Sequence, residues 1–323
     1  MKKGLALVIA ACAIAYVVAP WFMRKNSSHA GAPVRLAQRA GDGSVRVQAE
    51  KPVTAGQPEA ALSSPQPVKV AQAQAEPRPA AAPAKTCEQW VAEAQQLLKE
   101  DKKFEARNAF SEAYKLAPNK EARKPIVEEL NKLNAVLIFS TAPSPDAEVY
   151  VVKPGDALAK IAKAHGTTYR LIMRINQKAR DIIRPGEKLK ILKGKPSILV
   201  RKGDFKLVLW LDGRFVKEYD VGIGKPGASP TPVGTFVIEN PVEKPTWYAP
   251  DGVYEFGHPK NILGTRWLGF KDTPQHQGFG IHGSASPEGI PGMVSSGCVR
   301  MHNVDVEELY DFVLTGTEVV ITD

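Results

Sequence analysis

Ile281-His282-Gly283, followed after a Gly- and Ser-rich loop by Ser295-Ser296-Gly297-Cys298-Val299-Arg300-Met301, decides how the C-terminal part of this chain is read. A thiol with an ordinary pKa near 8.5 is a slow nucleophile at neutral pH unless a neighbour takes its proton. An imidazole within hydrogen-bond reach can do so, and can later return the proton to a leaving amine. His282 at a strand end and Cys298 beyond the loop suit these roles. Gly297 lets backbone approach closely, so that amides around Cys298 are placed to stabilise an oxyanion. A buried Cys and a satisfied His are the alternative reading of the same two residues.

The sequence around this stretch reads as mostly β. Lys206 to Leu211 alternates towards Asp212-Gly213 and Arg214 to Val221 returns, which is a hairpin signal. Further strands are expected at Ser197–Val200, Thr235–Ile238, Gly278–His282 and Glu318–Ile321. A helix should run from Val304 to about Leu314, with Asn303 as its cap and Asp305, Glu307 and Glu308 in its first turns.

These residues resemble the YkuD-type L,D-transpeptidase domain. Its motif is His, a spacer, Ser/Thr-x-Gly-Cys, an aliphatic residue, then Arg or Asn. Here fifteen residues separate His282 from Cys298, and Ser295, Gly297, Val299 and Arg300 match. Thr231-Pro232-Val233-Gly234-Thr235-Phe236, Asn261-Ile262-Leu263-Gly264 and Gly316-Thr317-Glu318-Val319 extend the similarity over 196–323. The resemblance implies that Cys298 is the nucleophile and His282 its base. Ser295 would help shape the pocket, and Arg300 would order the site or meet a substrate carboxylate. Ser296 stands where the family commonly has His, and it is counted with Gly297, Ser295 and Arg300 among the residues expected to shape the site. The family needs neither metal nor cofactor, and His258, His276 and His302 are read as loop or surface residues. Trp247 and Tyr248 suit either a lid or ordinary packing; Arg266-Trp267 reads as structural.

Upstream, Val149 to Leu192 alternates, turns at Lys153-Pro154-Gly155 and Arg184-Pro185-Gly186, and carries two short helical stretches between. Asp156 is placed to cap the first of them. Tyr150-Val151-Val152, Pro154-Gly155-Asp156-Ala157-Leu158, Ile161-Ala162, Leu171, Asn176, Ile183 and Leu189-Lys190-Ile191 resemble a LysM module, a βααβ unit that binds N-acetylglucosamine-containing wall glycans. Ala157 replaces the Thr usual there. From Thr86 to about Phe139 the period is helical. Trp90, Ala94, Ala106, Phe110, Ala113 and Pro118 fall where a tetratricopeptide repeat has its signature residues, with Glu93 and Leu97 departing from it. One repeat cannot bury its own face, so a third helix, Lys120 to Leu133, should close it. This module reads as a spacer or as a groove for a protein partner.

Residues 26–85 contain eight Pro and no Phe, Trp or Tyr, the composition of a disordered tether. Gly4 to Met23 is uncharged and 20 residues long, enough to span a bilayer core, between Lys2-Lys3 and Arg24-Lys25. An uncleaved anchor is the preferred reading over a cleaved signal near Ser28-His29-Ala30 or a lipoprotein box at Ile9-Ala10-Ala11-Cys12. Three cysteines cannot form a disulfide framework, and a Cys87–Cys298 pairing is disfavoured. The net charge of +9 divides into +14 over 1–195 and −5 over 196–323, which argues against nucleic acid and leaves any anion attraction to the middle of the chain.

The expected chain is thus multidomain α+β. It comprises a transmembrane segment (1–25), a disordered linker (26–85), a tetratricopeptide-like helical module (86–140), a LysM module (148–193) and a mostly-β catalytic domain (196–323). The resemblances imply an envelope L,D-transpeptidase, facing periplasm or wall and anchored in the cytoplasmic membrane. It would work through a Cys298 thioester on tetrapeptide stems, with glycan strands and stem peptides as partners. An L,D-carboxypeptidase and a non-catalytic wall-binding scaffold are the alternatives. The NlpC/P60 cysteine endopeptidases place Cys before His and do not fit.

Overall fold

The structure, a computed structural model, describes residues 85–323 apart from Ala228. The expected membrane segment and tether therefore lie outside the described residues. Among those described, no helix is long and apolar enough to cross a membrane.

Three helices come first: α1 (Cys87–Lys99), α2 (Lys103–Leu116) and α3 (Lys120–Leu137). Thr86 caps α1 as expected. Its hydroxyl accepts from the Gln89 amide while the Gln89 side chain accepts from the Thr86 amide, a reciprocal capping box. The third helix runs four residues beyond its expected end at Leu133, because Leu137 is also buried on its apolar stripe.

Next comes β1 (Ala147–Val151), α4 (Leu158–Ala164), α5 (Tyr169–Ile175) and β2 (Lys188–Leu192), with β1 antiparallel to β2. The βααβ order is as expected, but Asp156 does not cap α4. Its carboxylate accepts from the Lys153 amide and the Tyr150 hydroxyl, both at 2.8 Å, closing the Lys153-Pro154-Gly155 turn instead. Ala157 occupies the cap position without a side-chain bond.

The remainder is strand-rich: β3 (Pro196–Arg201), β4 (Lys206–Leu211), β5 (Arg214–Asp220), β6 (Gly222–Gly224), β7 (Gly234–Glu243), β8 (Trp247–Ala249), β9 (Gly252–Tyr254), β10 (Arg266–Phe270), β11 (Gly280–His282), β12 (Gly292–Ser295), β13 (Val299–Arg300), α6 (Asn303–Phe312) and β14 (Glu318–Thr322). All but β8 and β9, which form their own hairpin, make one mixed sheet in the order β12-β6-β13-β11-β10-β7-β14-β3-β4-β5. The β4–β5 turn has positive φ at both Asp212 and Gly213, as a two-residue hairpin requires. Strands β6, β8–β10, β12 and β13 have no counterpart among the strands expected from the sequence. Most are too short to show alternation, and their pairing depends on chain arriving from elsewhere.

The apolar core crosses these segments. Phe110, Tyr114 and Leu130 from the helices, Leu171 and Ile175 from α5, and Phe215, Ile281 and Val299 from the sheet belong to one buried cluster. A second, smaller cluster lies inside the βααβ unit around Ile161, Ile172 and Ile191.

Candidate active site

Strands β10, β11 and β13 lie side by side, and their register sorts the site into two faces. Leu268, Ile281 and Val299 stand opposite one another and are fully buried. Side chains alternate along a strand, so the flanking rows point to the other face. One row is Trp267, His282 and Arg300; Cys298 immediately precedes β13, and the Gly280 backbone bonds its thiol. Sequence distance thus becomes adjacency: His282 ends β11, and Cys298 immediately precedes its parallel neighbour β13.

Gly280 is small for a reason. A Cβ there would lie 2.9 Å from the Trp267 indole and 2.7 Å from the Leu268 carbonyl. Trp267, 2% exposed, lies under the imidazole with ring centroids 5.9 Å apart. It is structural, as read, but what it supports is the site.

The turn before β13 is held by Ser295. Its hydroxyl donates to the Cys298 carbonyl at 2.5 Å and accepts from the Gly297 amide at 3.2 Å. Gly297 has φ +113°, and a Cβ would sit 2.8 Å from the Phe279 ring, so only glycine fits this close approach. Ser296 is exposed.

His282 is 2% exposed, and its Nδ1 lies 2.6 Å from the Gly283 carbonyl. A carbonyl only accepts, so Nδ1 carries the proton and Nε2 is the basic nitrogen. Burial, and then the Arg300 charge, lower its pKa from 6.5 to about 4, against backbone groups of Gly283 and Leu263 that act the other way. Burial pushes the Cys298 thiol up to about 11, opposed by the Gly280 backbone and the Arg300 charge. The resting pair is therefore a neutral thiol and a neutral imidazole. They do not bond directly: the thiol sits 3.8 Å from the Gly278 carbonyl. Arg300 has no carboxylate partner among the described residues, and its Nε is buried without a hydrogen bond.

Asn303 is the residue the sequence reading misplaced. It is the first residue of α6, and His302 takes the cap position without a side-chain bond. The Asn303 Oδ1 accepts from the amides of Thr265 (3.1 Å) and Ser284 (3.2 Å), while Nδ2 donates to the Ser284 carbonyl (2.9 Å). It ties the chain leaving His282 to the start of β10. Its place directly after the Cys motif was the only sequence signal, and a cap explained that equally well.

Trp247 packs on Tyr254 in the β8–β9 hairpin, and His258 stacks on Tyr254. Asn261 joins that hairpin to Leu263 by donating to the Pro245 and Tyr254 carbonyls and accepting from the Leu263 amide. His276 lies between Phe236 and Phe279. Among the described residues, no group of three His, Cys, Asp or Glu side chains is placed to hold a metal ion. Cys87 and Cys298 are both free thiols.

Residues 195–321 match the L,D-transpeptidase catalytic domain model, YkuD, and residues 150–192 match the LysM domain model. A protein of Bacillus subtilis (strain 168) assigned as the L,D-transpeptidase YqjB is 39% identical over 134 residues, 41% of this chain and 74% of the relative. A second from that strain, assigned as the L,D-transpeptidase YkuD, is 34% identical over 179 residues, 53% of this chain and 97% of the relative. Among solved structures, the catalytic domain of the E. faecium L,D-transpeptidase aligns at 28% identity and a TM-score of 0.33, over 40% of this chain and 98% of that one.

Proposed function

This chain belongs to the L,D-transpeptidase family, with a YkuD-type catalytic segment behind a LysM segment, and from that premise we propose that it remodels peptidoglycan through a Cys298 thioester. The observation that supports the proposal is the strand register that sets His282 beside Arg300, with Cys298 immediately before the strand that carries Arg300.

In the proposed reaction, Cys298 Sγ attacks the carbonyl joining the L-centred third residue of a tetrapeptide stem to its terminal D-Ala. The thiol proton passes to His282, neutral and able to accept it at working pH. The oxyanion takes a hydrogen bond from the Cys298 backbone amide, the Gly297 amide being already donated to Ser295. As the C–N bond breaks, His282 returns the proton to the departing D-Ala amine, leaving a thioester. An amine from a second stem or a wall-attached protein then attacks, His282 takes its proton, and the thiol is regenerated with a new amide bond. The two neutral groups must meet for the first step, so substrate binding is expected to bring them into contact; catalytic hydrogen bonds commonly tighten only in the substrate complex. The LysM segment would hold a glycan strand and raise the local concentration of stems, placing the protein at the cell wall.

Intact mass spectrometry of the protein with disaccharide-tetrapeptide, beside Cys298→Ala, tests this. A Cys298-dependent acyl adduct, D-Ala release and cross-linked dimers are expected. Adduct with tripeptide as the sole product would mean that water resolves the thioester and the protein is a carboxypeptidase. No adduct from folded protein would leave a wall-binding scaffold.

A further inference from the structure

The three helices α1–α3 are absorbed by neither the catalytic chemistry nor the glycan segment, and their packing says what they do. Strand β5 ends the ten-stranded sheet, so one side of its backbone has no strand partner. An open edge of this kind invites pairing with another chain unless it is covered. Here two buried polar side chains from the helices take the place of a neighbouring strand. Ser111 on α2 accepts from the Phe215 amide at 3.1 Å, and Asn134 on α3 donates to the Phe215 and Val216 carbonyls at 2.8 and 2.9 Å. Ser111 and Asn134 are 0% and 1% exposed, so these bonds are made away from water. Tyr114 packs against both Trp210 and Phe215 beside them.

The same helices grip the βααβ segment. Arg107 on α2 is fully buried and pairs at 2.7 Å with Asp146, the residue before β1. Lys190 on β2, 3% exposed, donates to the carbonyl of Leu137, the last residue of α3, at 2.7 Å and to that of Ser140 just beyond it at 3.0 Å. A cation is favoured there by the negative end of the helix dipole. On the opposite flank, Arg174 of α5 pairs with Asp311 of α6 at 2.7 Å, and Thr168 donates to the Asp311 carbonyl. Only three residues connect β2 to β3, and Asp212 binds the Lys195 amide within that connection.

We propose that the helical segment is an intramolecular brace, not a docking groove for a separate protein: one face substitutes for a strand beside β5, another clamps the LysM segment, and the LysM segment is thereby held at one fixed separation from Cys298. Two kinds of observation favour this over a groove. The face that would receive a partner is filled by the chain's own strand, and the clamp uses buried ions, which cost desolvation unless geometry is kept. For function, resting on the reading that the LysM segment holds glycan, the brace sets which stems along a bound strand reach the thiol.

Pulsed electron-spin distance measurements test the brace directly. Nitroxides at Lys160→Cys on α4 and Val304→Cys on α6, with Cys12, Cys87 and Cys298 changed to serine, report the separation in the full chain. A single narrow distribution is expected. It should broaden in Arg107→Met/Asp146→Leu, which removes both buried charges together, and in Lys190→Met. A broad distribution in the braced protein, or an unchanged one in both folded variants, would overturn the proposal. Glycan strands of defined length bearing tetrapeptide stems test the consequence with Cys298 intact. The braced protein should consume stems at a preferred position, and the two variants should lose that preference while still forming adduct on soluble disaccharide-tetrapeptide. Uniform stem use by the braced protein, with normal adduct on the soluble substrate, would defeat the brace's positioning role and leave the proposed chemistry standing.

Discussion

Acid will destabilise this protein in part through His282, whose share can be isolated. The ring is 2% exposed, and burial with the Arg300 charge lowers its pKa from 6.5 to about 4. Between those values the unfolded chain binds a proton at His282 and the native one does not, so stability falls as pH falls. The contribution is complete above about pH 6.5. At pH 4 the unfolded ring is almost fully protonated and the native ring half so, a loss of about 3 kcal/mol. Carboxylates titrate over the same interval, so the comparison must be with a variant that keeps them. His282→Asn does so, and its amide can still donate to the Gly283 carbonyl. Urea unfolding of both proteins at pH 7.5 and pH 4 should show the wild type losing about 3 kcal/mol more than the variant. Equal losses would refute the desolvated, neutral imidazole. The same neutrality should keep acylation active to well below pH 6, because the free-enzyme base stays unprotonated there.

Other outcomes follow from single contacts. Gly297→Ala forces φ +113° on a residue with a Cβ and drives it against Phe279; a stability loss of about 1–3 kcal/mol should accompany a much slower adduct, read by unfolding and intact mass. Arg300→Gln removes a cation that favours the Cys298 thiolate, so iodoacetamide labelling at pH 9 should slow several-fold, and unchanged labelling would mean the charge does not reach the thiol. Asn303→Ala breaks the three bonds behind His282 and should lower kcat more than it raises KM for disaccharide-tetrapeptide. Asp146→Asn strands the fully buried Arg107; about 3–5 kcal/mol of stability should be lost, mostly restored in Arg107→Met/Asp146→Leu, as chemical denaturation would show.

Much of this is legible in the sequence. The Thr86 capping box, the Asp212-Gly213 turn and the alternation of β4 depend on neighbours in the chain, so composition and spacing expose them. The Cys298 and His282 candidates were legible through the chemistry of a thiol beside a base and through a motif. Asp156 and Asn303 were not. Each has a short polar side chain at a helix start, where capping is the ordinary expectation, and each instead satisfies backbone groups that the fold brings to it.

What the sequence determined by itself was local: which segments are helical or extended, where they turn, and which residue types can do acyl-transfer chemistry. Tertiary structure alone decided that β11 and β13 lie side by side in parallel, which converts a fifteen-residue separation into adjacency. It also decided protonation, since neither the neutral imidazole nor the raised thiol pKa follows from residue identity; both come from the water each group loses on burial. The placement of α1–α3 against β5 belongs to the same class. A sheet edge exists only once the sheet has formed, and so do the unpaired backbone groups that Ser111 and Asn134 answer.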